Sequence, residues 1–174
     1  MNQEIEFELT YLAKEIPKEI KEVNPVRIMD VYIPDSLEQS HLRLRQKGDV
    51  FEITKKYPIN EGDASAQIEQ TIQLSKEEFN ALVVCSQKRV VKDRYKVKID
   101  GKIAEVDVFS GNLKGLILLD FEFETQEEKE NFIAPEVVLC DVTQEDFIAG
   151  GLLVGKNYDD ISLELAKFNY KKLV

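Results

Sequence analysis

Residues 92–109 have the sequence KDRYKVKIDGKIAEVDVF, and this stretch gives the clearest indication of the fold. Charged and apolar side chains alternate on both sides of Asp100-Gly101, a dipeptide typical of a two-residue hairpin turn. Alternation with a period of two places charged side chains on one face of a strand and apolar side chains on the other. Bases such as Arg94 lie in the first strand and acids such as Asp107 in the second. The pattern predicts an antiparallel hairpin with opposite charges on one shared face.

The same alternation recurs along most of the chain. Further strand candidates are residues 4–9, 26–33, 42–45, 51–56, 67–74 and 116–124. Together they give about eight strands joined largely by short turns, which favours an antiparallel sheet or barrel over a parallel sheet.

Helices are predicted between and after the strands. Ser75 and Glu78 form a capping-box pattern that predicts a helix extending to about residue 87. Thr125 with Glu128 predicts a shorter helix, and Thr143 begins a third one that extends to about residue 153. Residues 159–168 carry the apolar spacing of a last amphipathic helix.

Length and composition restrict the class of protein. The chain has 174 residues with 43% hydrophobic and 32% charged side chains, which predicts a single globular domain over residues 1–174. A net charge of −10 argues against nucleic-acid binding, because the phosphate backbone would be repelled. The sequence has no apolar stretch long enough to span a membrane and no secretory pattern at its start, so we expect a cytoplasmic protein without a membrane partner.

The charged strand faces are the most informative feature, and they have two interpretations. In the first, the charges face solvent, as they do on many one-sided antiparallel sheets. In the second, the sheet closes into a barrel whose interior is charged and whose outer apolar face lies under helices. Enclosed charges require pairing or ligands, and carboxylates with arginines and lysines suit metal-bound polyphosphate. The acids are Glu4, Glu6, Glu8, Glu52, Glu69, Glu105, Asp107, Asp120, Glu122 and Glu124, and the bases are Arg43, Arg45, Lys56, Lys92, Arg94, Lys96 and Lys98.

Six short motifs, in this order and spacing, resemble the CYTH superfamily, also called the triphosphate tunnel metalloenzymes. The resemblance covers about residues 2–155. It implies an α+β fold with an eight-stranded antiparallel tunnel, a charged interior and helices packed outside. The motifs are Glu4-Ile5-Glu6, Leu42-Arg43-Leu44-Arg45, Ile53-Thr54-Lys55-Lys56, Asp93-Arg94-Tyr95, Glu105-Val106-Asp107-Val108-Phe109 and Asp120-Phe121-Glu122-Phe123.

The resemblance also implies an activity and a site. Members hydrolyse phosphoanhydride bonds of inorganic triphosphate or related triphosphates with Mg²⁺ or Mn²⁺, and no covalent nucleophile is needed. The implied metal ligands are Glu4, Glu6, Glu105, Asp107, Asp120 and Glu122. The implied substrate-binding residues are Arg43, Arg45, Lys56, Lys92 and Arg94. Glu4, Glu6, Lys56 and Arg94 are the implied catalytic residues.

Three positions depart from the family pattern. Glu8 replaces the lysine of the N-terminal Glu-x-Glu-x-Lys motif, Thr71 replaces a glutamate, and Phe147 lies where many members carry an arginine-tyrosine pair. These departures keep two alternatives open, a triphosphate- or nucleotide-binding module with weakened catalysis and an adenylate cyclase. The apolar outer face of the barrel leaves a further alternative, because either helices or a second copy in a homodimer would cover it.

Overall fold

The computed structural model describes residues 4–38 and 40–173, and for Glu4 the backbone only. Within these described residues, nine strands form one antiparallel sheet in the order β5-β4-β3-β2-β6-β7-β8-β1-β9. The strands are β1 (Glu4–Ala13), β2 (Val26–Ile33), β3 (Leu42–Lys47), β4 (Val50–Pro58), β5 (Ala66–Leu74), β6 (Arg89–Ile99), β7 (Lys102–Phe109), β8 (Ile117–Phe123) and β9 (Val138–Asp141).

The sheet closes into an eight-stranded barrel because β1 pairs on both sides. Its first half pairs with β5, where Ile5 lies opposite Ile68, and its second half pairs with β8, where Leu9 lies opposite Phe121. Strand β9 then pairs with the end of β1, beyond the part that meets β5. The predicted eight-stranded antiparallel barrel is confirmed, and β9 is an additional short strand that the alternation did not reveal.

The hairpin that decided the prediction forms as expected. Asp100 and Gly101 both have positive φ, at 47° and 84°, between β6 and β7. A type I′ turn requires positive φ at both central residues, which explains this dipeptide. Across the hairpin Arg94 lies opposite Asp107 and Lys96 opposite Glu105. The register therefore places bases of β6 beside acids of β7.

In the part of the chain that the structure describes, four α-helices and three short 3₁₀ segments accompany the sheet. The predicted capping box forms at the start of the first helix, where Ser75 and Glu78 exchange hydrogen bonds of 2.7 and 3.1 Å. The α-helices are α1 (Lys76–Val83), α2 (Gln126–Glu130), α3 (Gly150–Leu153) and α4 (Tyr158–Lys167). The 3₁₀ segments are Lys18–Glu22, Gly111–Leu113 and Asp146–Ile148. None of the helices in the described residues is both long and apolar enough to cross a membrane.

Two helix predictions are wrong in extent. Helix α1 ends at Val83 rather than near residue 87, because Asp35 accepts hydrogen bonds from the Ser86 hydroxyl and the Gln87 amide. Those bonds direct the chain into β6.

The predicted helix from Thr143 to about residue 153 is instead a 3₁₀ turn and the single turn α3, separated by an extended Ala149. Gly150 and Gly151 permit this path, since a Cβ at Gly150 would overlap the Tyr32 hydroxyl and one at Gly151 would lie 2.7 Å from the Ser40 carbonyl oxygen.

The apolar core lies outside the barrel and at one of its ends. Helix α1 places Phe79 over Val31 and Leu44, and a larger cluster around Phe121 covers the outer faces of β1, β6, β7 and β8. At one end, side chains of the C-terminal segment pack against inward-facing positions of five strands, β1, β2, β6, β7 and β8. This end cluster includes Tyr32, Val90, Phe109, Leu118, Phe147, Ile148 and Leu153.

Candidate active site

The barrel encloses a cavity of about 990 Å³, called the tunnel below. The strand side chains that line it are largely charged, so the interpretation with solvent-facing charges is wrong. Among the residues described, the strand acids are Glu6, Glu8, Asp30, Glu52, Glu69, Glu105, Asp107, Asp120 and Glu122, and the strand bases are Arg43, Arg45, Lys47, Lys56, Lys92, Arg94 and Lys96.

Arg94 is the centre of a dense ion-pair network. Its Nε and Nη2 atoms donate to the two oxygens of Asp107 at 2.7 and 2.6 Å, and Nη2 also lies 3.1 Å from Asp120 Oδ2. Nη1 donates to Glu105, and the Lys92 ammonium donates to Asp107. Three predicted metal ligands, Glu105, Asp107 and Asp120, are thus already matched by cations of the protein.

The pKa of Asp107 reflects this pairing. Burial opposes its ionisation, but the charges of Lys92 and Arg94 outweigh burial and lower its pKa to about 2. Asp120 behaves differently, because burial and the charges of Glu8 and Asp107 raise its pKa to about 7. Its Oδ1 accepts a hydrogen bond of 2.9 Å from the Thr10 hydroxyl. Asp120 therefore lies between the Arg94 network and the acids of β1.

A second guanidinium is fixed on β3. Arg45 donates from Nε and Nη2 to the two oxygens of Asp30 at 2.6 and 2.8 Å. Burial opposes the ionisation of Asp30, yet Arg45 outweighs burial and holds the pKa of that carboxyl well below its usual range. The sequence prediction missed Asp30, although an isolated acid within the apolar strand VRIMDVYI was the available signal.

Glu6, Glu8 and Glu122 form a compact carboxylate cluster, called the β1–β8 acid cluster below. One oxygen from each lies within 4.8 Å of the others. Glu6 and Glu8 each contact the Lys56 ammonium, at 2.5 and 3.2 Å. Burial and then the charges of Glu105, Glu6 and Glu8 raise the pKa of Glu122 to about 6.

This donor set fits a hard divalent cation. Mg²⁺ and Mn²⁺ prefer carboxylate oxygens, and three converging carboxylates with one ammonium are not balanced by the protein alone. The structure thus brings together Glu6 and Glu122 as predicted. It adds Glu8, which the motif comparison had treated only as the loss of a lysine. The predicted ligand Glu4 has its backbone at the start of β1, and its side chain lies outside the described residues.

The predicted phosphate-binding residues Arg43, Arg45, Lys56, Lys92 and Arg94 all line the tunnel. Arg43 has a single ion pair, from Nη2 to Glu69 Oε2 at 3.3 Å, while its buried Nε has no hydrogen-bond partner among the described residues. Burial disfavours its charge, but Tyr32, Asp30 and Glu69 outweigh burial and raise its pKa. Arg43 is therefore a charged side chain whose Nε–H is available to donate a hydrogen bond.

Three other positions singled out in the sequence do not belong to the charged lining of the tunnel. Glu124 and Lys98, which the alternation assigned to the charged face, do not line the tunnel. Phe147 is buried in the end cluster and stacks on Phe168 at a ring-centroid distance of 6.0 Å. Phe147 thus contributes apolar packing at the position where many family members carry an arginine-tyrosine pair.

Comparisons with known proteins agree with this geometry. No protein-family model matches the chain. An inorganic triphosphatase of Nitrosomonas europaea is 33% identical over 142 residues, which cover 80% of this chain and 90% of that protein. A crystal structure of the inorganic triphosphatase NE1496 superposes with a TM-score of 0.62 at 28% identity, covering 85% of this chain and 93% of that one.

A more distant structure shares the fold alone. A putative adenylate cyclase of Bacillus halodurans has a TM-score of 0.54 at 19% identity, covering 94% of this chain and 98% of its own. The level of identity to the Nitrosomonas triphosphatase, the closed barrel and the charged tunnel lead to one classification. The chain belongs to the CYTH superfamily, the triphosphate tunnel metalloenzymes.

Proposed function

We propose that this protein is a triphosphatase that hydrolyses a phosphoanhydride bond of inorganic triphosphate, or of a related triphosphate or polyphosphate, bound in the tunnel. One observation carries the proposal: acids and bases in large number converge on one enclosed cavity, where the β1–β8 acid cluster faces the basic side chains. The relation to the Nitrosomonas triphosphatase supports the same reaction. A charged polyphosphate with a divalent cation balances both sets of charges.

The basic residues bind and orient the phosphate chain. Arg43 offers its unpartnered Nε, and Lys56 lies beside the acid cluster, where it can contact both a phosphate oxygen and the carboxylates. Arg94 is held by Asp107, so its charge stays fixed next to the substrate. Phosphoryl transfer requires mainly alignment and compensation of charge on the phosphate oxygens, which these fixed cations supply.

Glu6, Glu8 and Glu122, together with Glu4, are the proposed ligands of Mg²⁺ or Mn²⁺. When bound there, such an ion would compensate phosphate charge and lower the pKa of a coordinated water molecule. We assign to the Glu6 carboxylate, a member of this cluster, the role of orienting the attacking water. The Lys56 ammonium contacts both β1 carboxylates, and its charge opposes the rise that burial causes in the pKa of Glu6.

The proposal also covers the type of substrate, the location of the protein in the cell and its oligomeric state. The substrate is a small molecule rather than a nucleic acid, in keeping with the net charge of −10. Cys85 and Cys140 form no disulfide, which agrees with a cytoplasmic location. A homodimer that covers exposed apolar residues of the outer barrel face, such as Ile5 and Ile72, remains a prediction.

Phosphate release from tripolyphosphate in the presence of Mg²⁺ or Mn²⁺ tests the proposed reaction. We expect turnover by the wild-type protein and strong losses in Glu6→Gln and Arg43→Ala. Equal release from all three proteins would contradict the assignment.

The two alternatives predict other results. A binding module with weakened catalysis is motivated by Glu8, which adds a negative charge beside the substrate, and calorimetry would then show tight tripolyphosphate binding without turnover. An adenylate cyclase would release pyrophosphate from ATP, so analysis of the products separates it from a hydrolase.

A further inference from the structure

The three tunnel arginines differ in how their Nε atoms are used. Nε of Arg45 donates to Asp30 at 2.6 Å and Nε of Arg94 donates to Asp107 at 2.7 Å. Nε of Arg43 is buried and has no partner among the described residues, although the side chain is 14% exposed. A buried donor without an acceptor is costly, so a ligand oxygen that accepts from it gains affinity.

The orientation of Arg43 depends on Glu69, and Glu69 is itself held from the other side. Its Oε2 accepts from Arg43 Nη2 at 3.3 Å, and its Oε1 accepts from the Thr71 hydroxyl at 3.1 Å. Because Thr71 donates to Glu69, its oxygen is free to accept from the Thr54 hydroxyl at 2.9 Å. The result is a chain of hydrogen bonds in which Thr54 donates to Thr71, and Thr71 and Arg43 both donate to Glu69.

The two threonines do not touch the substrate space. Neither Thr54 nor Thr71 lines the tunnel, and Thr54 is 1% exposed. They lie opposite each other on β4 and β5, so the strand pairing fixes the start of the chain. The buried Thr54 anchors the exposed Thr71 side chain, and Thr71 in turn limits the positions that the Glu69 carboxylate can adopt.

We propose that Thr71 is a positioning residue for substrate binding, whose hydroxyl fixes Glu69 and thereby directs the free Nε–H of Arg43 to a phosphate oxygen. The inference rests on the proposed function, since it assumes a polyphosphate in the tunnel. It assigns a role to a position that departs from the family pattern.

The test compares Thr71→Val, which keeps the shape and removes the hydroxyl, with Thr71→Ser, which keeps the hydroxyl. Calorimetry with tripolyphosphate and Mg²⁺ gives the Kd, and phosphate release gives KM and kcat. We expect Kd and KM of Thr71→Val to rise roughly fivefold, the effect of about one hydrogen bond, with a much smaller change in kcat. Thr71→Ser should bind as the wild type does, and Gln70→Val, on the opposite face of β5, should leave binding and turnover unchanged.

A double-mutant cycle separates positioning from a general effect on the strand. If Thr71 acts through Glu69, adding Thr71→Val to Glu69→Ala should cause no further loss of affinity. The inference is overturned if Thr71→Val binds as tightly as the wild type, if Thr71→Ser is as weak as Thr71→Val, or if the loss persists in the Glu69→Ala background.

The outcomes also distinguish the inference from the proposed function. Tight binding without turnover by the wild type would refute hydrolysis, while the Kd values would still decide the role of Thr71. Turnover by the wild type with unchanged Thr71→Val would refute only the role of Thr71. No binding of tripolyphosphate by the wild type would refute both.

Discussion

The tunnel contains two groups of three carboxylates. All six alternate with apolar residues along their strands, but the two groups differ in how many cations of the protein lie beside them. Glu105, Asp107 and Asp120 contact Arg94, and Asp107 also contacts Lys92. The β1–β8 acid cluster contacts Lys56 through two of its members, and its Glu122 forms none of the ion pairs found among the described residues. The first group is matched by cations of the protein, and the second has negative charge in excess.

The contrast is clearest in the pKa values of Asp107 and Glu122, the best-paired and the least-paired of the six carboxylates. The pKa of Asp107 is lowered to about 2 against the effect of burial, whereas burial raises that of Glu122 to about 6. A carboxylate that is already paired gains little from a metal ion, while an unpaired one gains a great deal. Asp107 therefore helps to hold the barrel together, whereas Glu122 is free to bind a ligand.

The largest expected effect comes from removing the centre of the matched group. Arg94→Ala leaves three buried carboxylates without their main cation, so we expect a loss of about 3–5 kcal/mol in the free energy of unfolding. Urea denaturation at pH 7 measures this loss.

Lys96→Ala serves as the control for a cation on the same strand. Lys96 lies 3.6 Å from Glu105 but is 64% exposed, so its removal should change stability by less than about 1 kcal/mol. Similar losses in the two variants would show that the Arg94 network does not stabilise the fold.

A smaller effect with a characteristic pH dependence is expected at Asp30, an acid that is matched by Arg45. Because pairing lowers the pKa of Asp30 below its ordinary value of 3.8, the ionised form stabilises the folded state above about pH 4. We expect Asp30→Asn to lose about 2 kcal/mol at pH 7. The difference from the wild type should shrink as the pH falls below about 4, because Asp30 then becomes protonated in the unfolded chain.

Denaturation of both proteins between pH 3 and pH 7 checks this expectation. A difference that stays constant over the whole range would mean that Asp30 stabilises the barrel by its shape or hydrogen bonding rather than by its charge.

The smallest effect on stability is expected in the unmatched group. Because the pKa of Glu122 is raised, its charge does not favour the folded state at neutral pH, and Glu122→Gln should leave the metal-free protein at least as stable as the wild type. In contrast, the Mn²⁺ concentration needed to raise the Tm should increase by on the order of tenfold. Thermal unfolding with Mn²⁺ or with a chelator measures both effects.

Glu124→Gln is the matched control. It makes the same chemical change two residues further along the chain, at a side chain that does not line the tunnel. A response of Glu124→Gln to Mn²⁺ that is as weak as that of Glu122→Gln would argue against a metal site at the β1–β8 acid cluster.

Much of the fold could be predicted because alternation is a local property. The β6–β7 hairpin, its Asp100-Gly101 turn and the capping box at Ser75 all depend on residues close together in the chain. The region after Thr143 could not be predicted in the same way. Its course depends on Gly150 and Gly151 packing against Tyr32 and Ser40, which lie more than 100 residues earlier.

The structure brings many of the predicted site residues into one cavity, but the sequence did not show how they are grouped there. Arg43, Arg45, Lys56, Lys92 and Arg94 do line one cavity, together with the described acids that were assigned as ligands. The alternation could not show that Asp107 forms an ion pair with Arg94, or that Glu8 lies close to Glu6 and Glu122. That information resides in distances between strands.

That the strands have one charged and one apolar face follows from the order of residues alone, because side chains alternate along every extended chain. The excess of acids over bases also follows from the sequence, and the short motifs indicated the family. Which acids contact which bases depends on how the strands pair in three dimensions. Lys56 reaches Glu8 across 48 positions of the chain, and Thr10 reaches Asp120 across 110. Barrel closure and strand register bring such residues together, and they thereby separate the carboxylates that stabilise the fold from those left free to bind a ligand.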